Sequence, residues 1–188
     1  KYSVYLNDSN VYIWGFSAGG GKAGVCPSKY PDYFTAAYGT GGVVNLTKWY
    51  ELSSGDQAEI EVRVGATPTS DYEAFMTREA SRLVANSQTA FRFQHGDADP
   101  RVNVTIGRDF NASAVAFGKE MNYTEFSGVH SIPSDANANG LWWSNTHKTA
   151  PSIPTSGQLL IGGYVVSNNF SVEFIDNVSK FGTVNYSL

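Results

Sequence analysis

Residues 11–20 read Val-Tyr-Ile-Trp-Gly-Phe-Ser-Ala-Gly-Gly, directly after the polar cluster Asn7-Asp-Ser-Asn10. A turn-like cluster followed by an apolar, β-branched and aromatic run predicts a buried strand over Val11–Trp14, and Gly15-Phe-Ser17-Ala-Gly19 stops it abruptly. The five residues fit the pattern G-x-S-x-G, in which a tight strand-to-helix turn lifts a serine hydroxyl clear of the sheet. Small flanking residues suit such a bend because it leaves little room for side chains. Glycine and serine recur by chance in any loop, so the pattern alone is weak, but a strand ending on it is the context it needs.

Outward from this stretch, the chain alternates strands with helical segments. A small-residue segment after Gly20 suits a short helix, and Phe34–Tyr38, closed by Gly39, Gly41 and Gly42, predicts a second buried strand. Ala58–Val64 alternates strictly, Ile60, Val62 and Val64 against Glu59, Glu61 and Arg63, which predicts an edge strand with one wet face. Ser70 and Glu73 have the spacing of a capping box, and Tyr72, Phe75, Met76, Ala80, Leu83 and Val84 recur at helical spacing, predicting a helix over Asp71–Ala85. Ala90–Gln94 reads as a strand ending at His95-Gly96. Ile106, Phe110, Ala114 and Phe117 mark a second amphipathic helix, and Tyr123–Phe126 a further strand. This rhythm is that of an α/β fold. From Pro151 the style changes to a Pro- and Ser/Thr-rich stretch and three β-rich segments, Gln158–Val166, Phe170–Ile175 and Phe181–Ser187. The division expected is therefore a catalytic portion over residues 1–150 and a small antiparallel appendage over 151–188.

Two further motifs stand where the strands end. His95-Gly-Asp97-Ala-Asp99-Pro-Arg-Val102 follows the Ala90–Gln94 strand, and Gly128-Val-His130-Ser131 follows Tyr123–Phe126. A carboxylate at the C-terminal end of one strand and a histidine after the next, both later in the chain than the serine, give the order Ser, Asp, His. The candidates are Ser17 as nucleophile, His130 as general base and Asp99 as the acid that orients its imidazole, with the Ala18 amide as an oxyanion donor. Asp97 reads as a turn-capping aspartate, His95 as a packing or hydrogen-bonding residue, and His147 as polar surface. Trp142 and Trp143 are candidates for an apolar substrate wall, against the plainer alternative that adjacent aromatics belong to the core.

Composition narrows the remaining classes. A hydrophobic content of 41% over 188 residues suits one globular domain with a core. A net charge of -4 without any run of Lys or Arg argues against nucleic acid and anionic membranes as partners. No apolar stretch has the length of a membrane span, and Lys1–Asn10 lacks the pattern of a signal peptide, so a secreted form is expected to have lost its signal already. The histidines are too scattered for a zinc site, and no cofactor or metal is expected. Cys26, the single cysteine, excludes a disulfide within the chain. Asn45, Asn103, Asn111, Asn122, Asn169, Asn177 and Asn185 each open an N-x-S/T triplet. Whether these carry glycans or merely reflect a polar surface, they place the protein outside the cytosol.

Through GFSAGG (15–20), HGDADPRV (95–102) and GVHSIPSD (128–135), the chain from Tyr5 to about Gly140 resembles secreted poly(3-hydroxybutyrate) depolymerases and related esterases of the α/β-hydrolase superfamily. The prolyl-oligopeptidase-like family shares the first two motifs. The resemblance implies hydrolysis of an ester or polyester through an acyl-enzyme by Ser17, Asp99 and His130. Such folds carry several strands ahead of the serine turn, including the loop that supplies a second oxyanion amide. The expectation is therefore a circularly permuted or partial sheet completed by a second chain segment, with Cys26 a candidate tether, or by self-association. The alternatives are a peptidase of the prolyl oligopeptidase type and, from another class, an extracellular structural or adhesive glycoprotein on a hydrolase-derived scaffold.

Overall fold

The structure, a computed structural model, describes residues 10–147 and, beyond them, only the backbone pairing of short strands between 159 and 185. The chain divides into two compact units, residues 1–151 and 152–188. In the first, β1 (Tyr12–Phe16), β2 (Ala36–Thr40), β3 (Ala90–Gly96) and β4 (Met121–Phe126) form a parallel sheet in that spatial order. Helices α1 (Ala18–Lys29), α2 (Leu46–Leu52), α3 (Gln57–Val64), α4 (Tyr72–Met76), α5 (Ala80–Leu83), α6 (Val104–Ala116) and α7 (Ala136–Thr146) make up the rest, with a 3-10 turn at Val84–Asn86. This is the α/β-hydrolase arrangement that the chain order of the motifs predicts. In the second unit β5 (Leu159–Ile161) pairs antiparallel with β6 (Tyr164–Val166), β8 (Ile175–Asp176) with β9 (Ser179–Lys180), and β10 (Val184–Asn185) with β7 (Ser171–Val172).

The period-2 geometry of the strands sorts their side chains onto two covered faces. Ile13, Ala37, Phe91 and Phe93 meet Val25, Ala80, Ile106 and Phe110 on the face carrying α1, α5 and α6. Phe91 and Phe93 both pack edge-on against Phe110, with centroids 5.4 and 5.5 Å apart. Tyr12, Ala36 and Ala90, level with one another across the sheet, meet Trp143 of α7 on the opposite face. β2 and β3 are buried along their whole length, and the polar residues that alternate with Phe91 and Phe93 are paired there, Arg92 with Asn122 and Gln94 with the Tyr38 hydroxyl.

Four local expectations are corrected. Ala58–Val64 is not an edge strand but lies in α3, because Gln, Glu, Ala and Arg favour a helix, Arg63 pairs with Glu59 one turn back at 2.7 Å, and Gly65 ends it with φ 81°. Its alternation was accidental: Ile60 is buried and Val62 is 84% exposed. The single helix over Asp71–Ala85 is broken at Thr77–Glu79, where the buried Glu79 carboxylate turns away to accept the Thr47 N–H at 2.8 Å and Ser81 N–H bonds the Val44 carbonyl at 3.0 Å. The cap of α4 is Asp71, whose side chain accepts from the Ala74 N–H, and Ser70 instead closes a turn with Thr67. Finally, β1, expected to be a buried strand, is an edge of the sheet among the described residues, and Trp14 on it is 41% exposed, while α1 and α7, rich in Gly, Asn and Ser with little helical periodicity, join α6 in covering the sheet.

Candidate active site

All three candidate catalytic residues stand at the C-terminal edge of the parallel sheet, each just after its strand: Ser17 after β1, Asp99 after β3, His130 after β4. Parallel strands with short following loops bring these ends together although the residues are far apart in sequence. The Ser17 Oγ lies 2.9 Å from His130 Nε2, and His130 Nδ1 lies 2.7 Å from Asp99 Oδ2. With the carboxylate accepting from Nδ1–H, Nε2 is left as the acceptor for the serine hydroxyl.

Ser17 adopts φ 54°, ψ -118°, and is the one non-glycine residue among the described residues with positive φ. Such a conformation costs about 1–3 kcal/mol and persists only where its surroundings impose it. Ser17 N–H bonds the Thr40 carbonyl of β2 at 3.0 Å, and Gly21 N–H bonds the Ser17 carbonyl at 2.9 Å. The glycines around the turn are unequal. A Cβ on Gly15 would lie 2.2 Å from the Gly19 backbone, and one on Gly42 would lie 2.4 Å from Gly20, whereas one on Gly19 would meet nothing within 4 Å. Gly15 is therefore fixed by contact with the helix that follows the serine, and Gly42 by the approach of the β2 loop to α1.

Asp99 is buried, its side chain 1% exposed, and Oδ1 accepts the N–H groups of Arg101 and Val102, both at 2.9 Å. Asp97 does not cap its own turn, the role expected from the sequence, because Asp99 Oδ1 already does so: its Oδ1 accepts the Gly128 N–H at 3.0 Å, and Asp97 N–H bonds the Phe126 carbonyl at 2.9 Å, so it staples the loop carrying His130 to the end of β3. Phe16 lies against the imidazole of His130, with ring centroids 4.8 Å apart. Gly41, at φ 52°, leaves beneath the triad the space that a side chain would fill against Phe16, Asp99 and His130, at 3.4–3.6 Å. The roles of Phe16 and Gly41 were not singled out in the sequence; the signals were the aromatic x of G-x-S-x-G and the glycine cluster closing β2. His95 is the buried hydrogen-bonding residue expected, its Nε2 at 2.7 Å from the Val102 carbonyl.

Ala18 is the first residue of α1 and is exposed beside the serine, and the positive end of a 12-residue helix adds to its amide as a site for developing negative charge. Trp142 and Trp143 are elsewhere, which corrects their reading as a substrate wall. Trp143 is 5% exposed in the core and donates from Nε1 to the carbonyl of Ala90, the first residue of β3, at 3.2 Å. Trp142 is half exposed with Arg92 over its ring at 5.5 Å. Since β3 advances roughly 3.3 Å per residue, both rings lie toward the strand end opposite the triad. His147 bonds the Trp143 carbonyl through Nδ1 and Glu120 through Nε2, at 2.7 and 2.8 Å.

Among the sequon asparagines, Asn45 and Asn103 cap α2 and α6 through their Oδ1 atoms, and Asn122 accepts from Arg92 at 2.8 Å. Asn111 lies on α6, half-buried. Asn169 and Asn177 lie outside the described residues, and of Asn185 only the backbone pairing in β10 is described.

Solved structures of similar fold belong to much longer chains. A puromycin-hydrolyzing peptidase of Mycobacterium tuberculosis superposes with a TM-score of 0.68 at 19% identity, over 79% of this chain and 23% of that one. An acylaminoacyl peptidase of Pyrococcus horikoshii superposes with a TM-score of 0.64 at 15% identity, over 82% and 26%. Dipeptidyl peptidase 4 of Porphyromonas gingivalis gives 0.61 at 17% identity, over 77% and 20%. The chain thus spans a fifth to a quarter of the length of these structures. None of the curated proteins matches it significantly in sequence. The prolyl oligopeptidase family matches residues 1–141, which carry the whole sheet and all three triad residues, and the chain belongs to that family.

Proposed function

We propose that the protein is a serine hydrolase that cleaves acyl bonds through a Ser17 acyl-enzyme, and that its substrates are short peptides or N-blocked amino acids. The observation that carries the reading is the continuous Ser17–His130–Asp99 chain on a strained strand-to-helix turn. His130 Nε2 takes the hydroxyl proton as Oγ attacks the carbonyl carbon, and the imidazolium formed faces the buried Asp99 carboxylate. The Ala18 N–H and the start of α1 receive the oxyanion. On collapse, the proton passes from Nε2 to the leaving nitrogen; a water then gives a proton to the same Nε2 and attacks the acyl carbon, and Nε2 returns that proton to Oγ as the acyl–Oγ bond breaks, releasing the acid and restoring Ser17. Peptide substrates are favoured because the chain belongs to the prolyl oligopeptidase family and the structures it resembles are peptidases.

The second reading is hydrolysis of esters, polyhydroxybutyrate included, and the observation favouring it is the run Gly128-Val-His-Ser-Ile-Pro-Ser-Asp135 around the catalytic histidine. Both readings require the same serine. A fluorophosphonate probe is expected to label Ser17 and nothing else, and Ser17→Ala is expected to abolish labelling together with hydrolysis of p-nitrophenyl esters and peptidyl p-nitroanilides. Label on another serine of folded protein would remove the acyl-enzyme reading; turnover of esters and polyhydroxybutyrate without any anilide would shift the substrate class to esters. A setting outside the cytosol remains part of the proposal through the dense sequons, and a fall in mass after endoglycosidase treatment of native material is its check.

A further inference from the structure

His95 is the residue before the last of β3, fully buried, and the acyl-transfer steps above do not use it. Its Nε2 lies 2.7 Å from the Val102 carbonyl oxygen and 3.3 Å from Asp99 Oδ2. A carbonyl only accepts, so Nε2 carries the hydrogen and Nδ1 is a bare lone pair. That lone pair has no partner among the described residues. A buried unsatisfied acceptor costs about 1–3 kcal/mol, a cost that an apolar side chain of similar volume would not incur. What the imidazole offers against it is its Nε2–H.

We propose that His95 is a positioning residue for the triad: its Nε2–H, shared between the Val102 carbonyl and Asp99 Oδ2, holds the Asp99 carboxylate in the orientation that receives His130. The proposal rests on the acyl-transfer reading. The bonds close a ring, since Val102 returns its own N–H to Asp99 Oδ1 at 2.9 Å while its carbonyl holds His95. The carboxylate is thereby held from both sides, with two amides on Oδ1, His130 bonded to Oδ2, and His95 Nε2 3.3 Å from that same oxygen. Rotation of the carboxylate by even a modest angle would lengthen the 2.7 Å bond to His130 and release the tautomer it selects. Helix α6 is shaped for this ring: a Cβ on Gly107 would lie 2.7 Å from His95 Nδ1 and 3.0 Å from the Tyr123 hydroxyl, so a glycine that is unfavourable inside a helix makes room for the imidazole. Burial lowers the His95 pKa and keeps the ring neutral, a donor to Asp99 that does not compete for the proton His130 carries.

The test compares His95→Gln, whose side-chain amide reaches about as far as Nε2 and donates, with His95→Leu, which fills the site without a donor, and His95→Asn, whose amide stops short. Each is made in the 188-residue chain and checked for folding by thermal melting. Leu and Asn are expected to lower kcat for a p-nitrophenyl ester about tenfold or more with KM nearly unchanged, slow fluorophosphonate labelling equally, and erase or shift the low-field Nδ1–H proton resonance of His130; Gln is expected to restore all three to near the wild type. A folded Leu or Asn variant with wild-type kcat and an unmoved low-field proton overturns the proposal, as does a folded Gln variant as impaired as Leu. The proton resonance is read without turnover. A wild-type protein that neither labels nor hydrolyses would therefore remove the acyl-transfer reading, and the resonance would still decide whether His95 holds Asp99.

Discussion

The two aspartates of the 97–99 turn are both hydrogen-bonded and yet do different work, which makes their amides a sharp comparison. Asp99→Asn leaves a group that can donate as well as accept toward His130 Nδ1, so the ring can adopt the wrong tautomer, and kcat is expected to fall by about three to four orders of magnitude. Asp97→Asn retains an Oδ1 that accepts the Gly128 N–H, so the His130 loop stays in place and the loss is expected to be within about tenfold. Equal losses in steady-state kinetics would contradict this division. His95 also has a consequence for acid stability. Burial lowers its pKa below the ordinary 6.5, so as pH falls past that value the unfolded chain takes a proton that the folded chain refuses. Stability is therefore full above the unfolded value and lost as pH falls from about 6.5 downward. The titratable groups near the ring are Asp99 and His130 from the loops and Tyr123 and Glu125 from β4, the last paired with Arg108 of α6. Urea unfolding of His95→Gln across this range should show a flatter acid limb than the wild type, and parallel limbs would assign the acid loss to other groups.

Among the elements, the joint between β1 and α1 tolerates change very unevenly. Gly15→Ala and Gly42→Ala place a methyl within 2.2 and 2.4 Å of backbone atoms, and neither backbone can yield without moving Ser17 or the β2 loop. Each is expected to destabilise by about 3 kcal/mol or more and to abolish labelling. Gly19→Ala meets open space inside a helix and is expected to stabilise by about 0.5–1 kcal/mol with labelling intact, as thermal melts and probe labelling of the three variants will show. Helix α7 gives a second contrast. Trp142→Ala, at a half-exposed ring far from the triad, is expected to leave kcat within about twofold, whereas Trp143→Ala removes a core ring and its bond to Ala90 and should cost about 3–5 kcal/mol in denaturant unfolding. A large kcat loss in Trp142→Ala with unchanged stability would restore that ring to a substrate role.

For the molecule as a whole, the position of β1 carries the main consequence. The strand that delivers the nucleophile is an edge of the four-stranded sheet among the described residues, and Trp14 on it is 41% exposed. Parallel strands are ordinarily covered, and an open parallel edge is a pairing site. We propose that a further segment pairs along β1 and supplies the second oxyanion amide. Burial pushes the Cys26 thiol up in pKa, which slows its reaction as a thiolate. Light scattering of native material, with and without reductant, should give a molar mass well above 20.4 kDa in both conditions. A compact 20.4 kDa monomer that turns over substrate would dispose of the second segment.

Read alone, the sequence determined the α/β rhythm, four of the strands to within a few residues, and the three residues that the structure brings into one hydrogen-bonded chain, because the strands are rich in apolar and aromatic residues and Ser17, Asp99 and His130 sit just past their ends. It also separated Asp99 from Asp97. It did not determine α3, where a seven-residue alternation imitates a strand until burial of Ile60 alone shows the helix, nor the break at Glu79, which depends on a hydrogen bond to Thr47 some thirty residues away. The distance of Trp142 and Trp143 from the site, the indifference of Gly19 beside the strictness of Gly15 and Gly42, and the hold of His95 on Asp99 were decided by the tertiary structure. Each depends on which strand end, helix or loop comes within a few ångströms of the residue, and contacts between distant segments leave no local pattern in the chain.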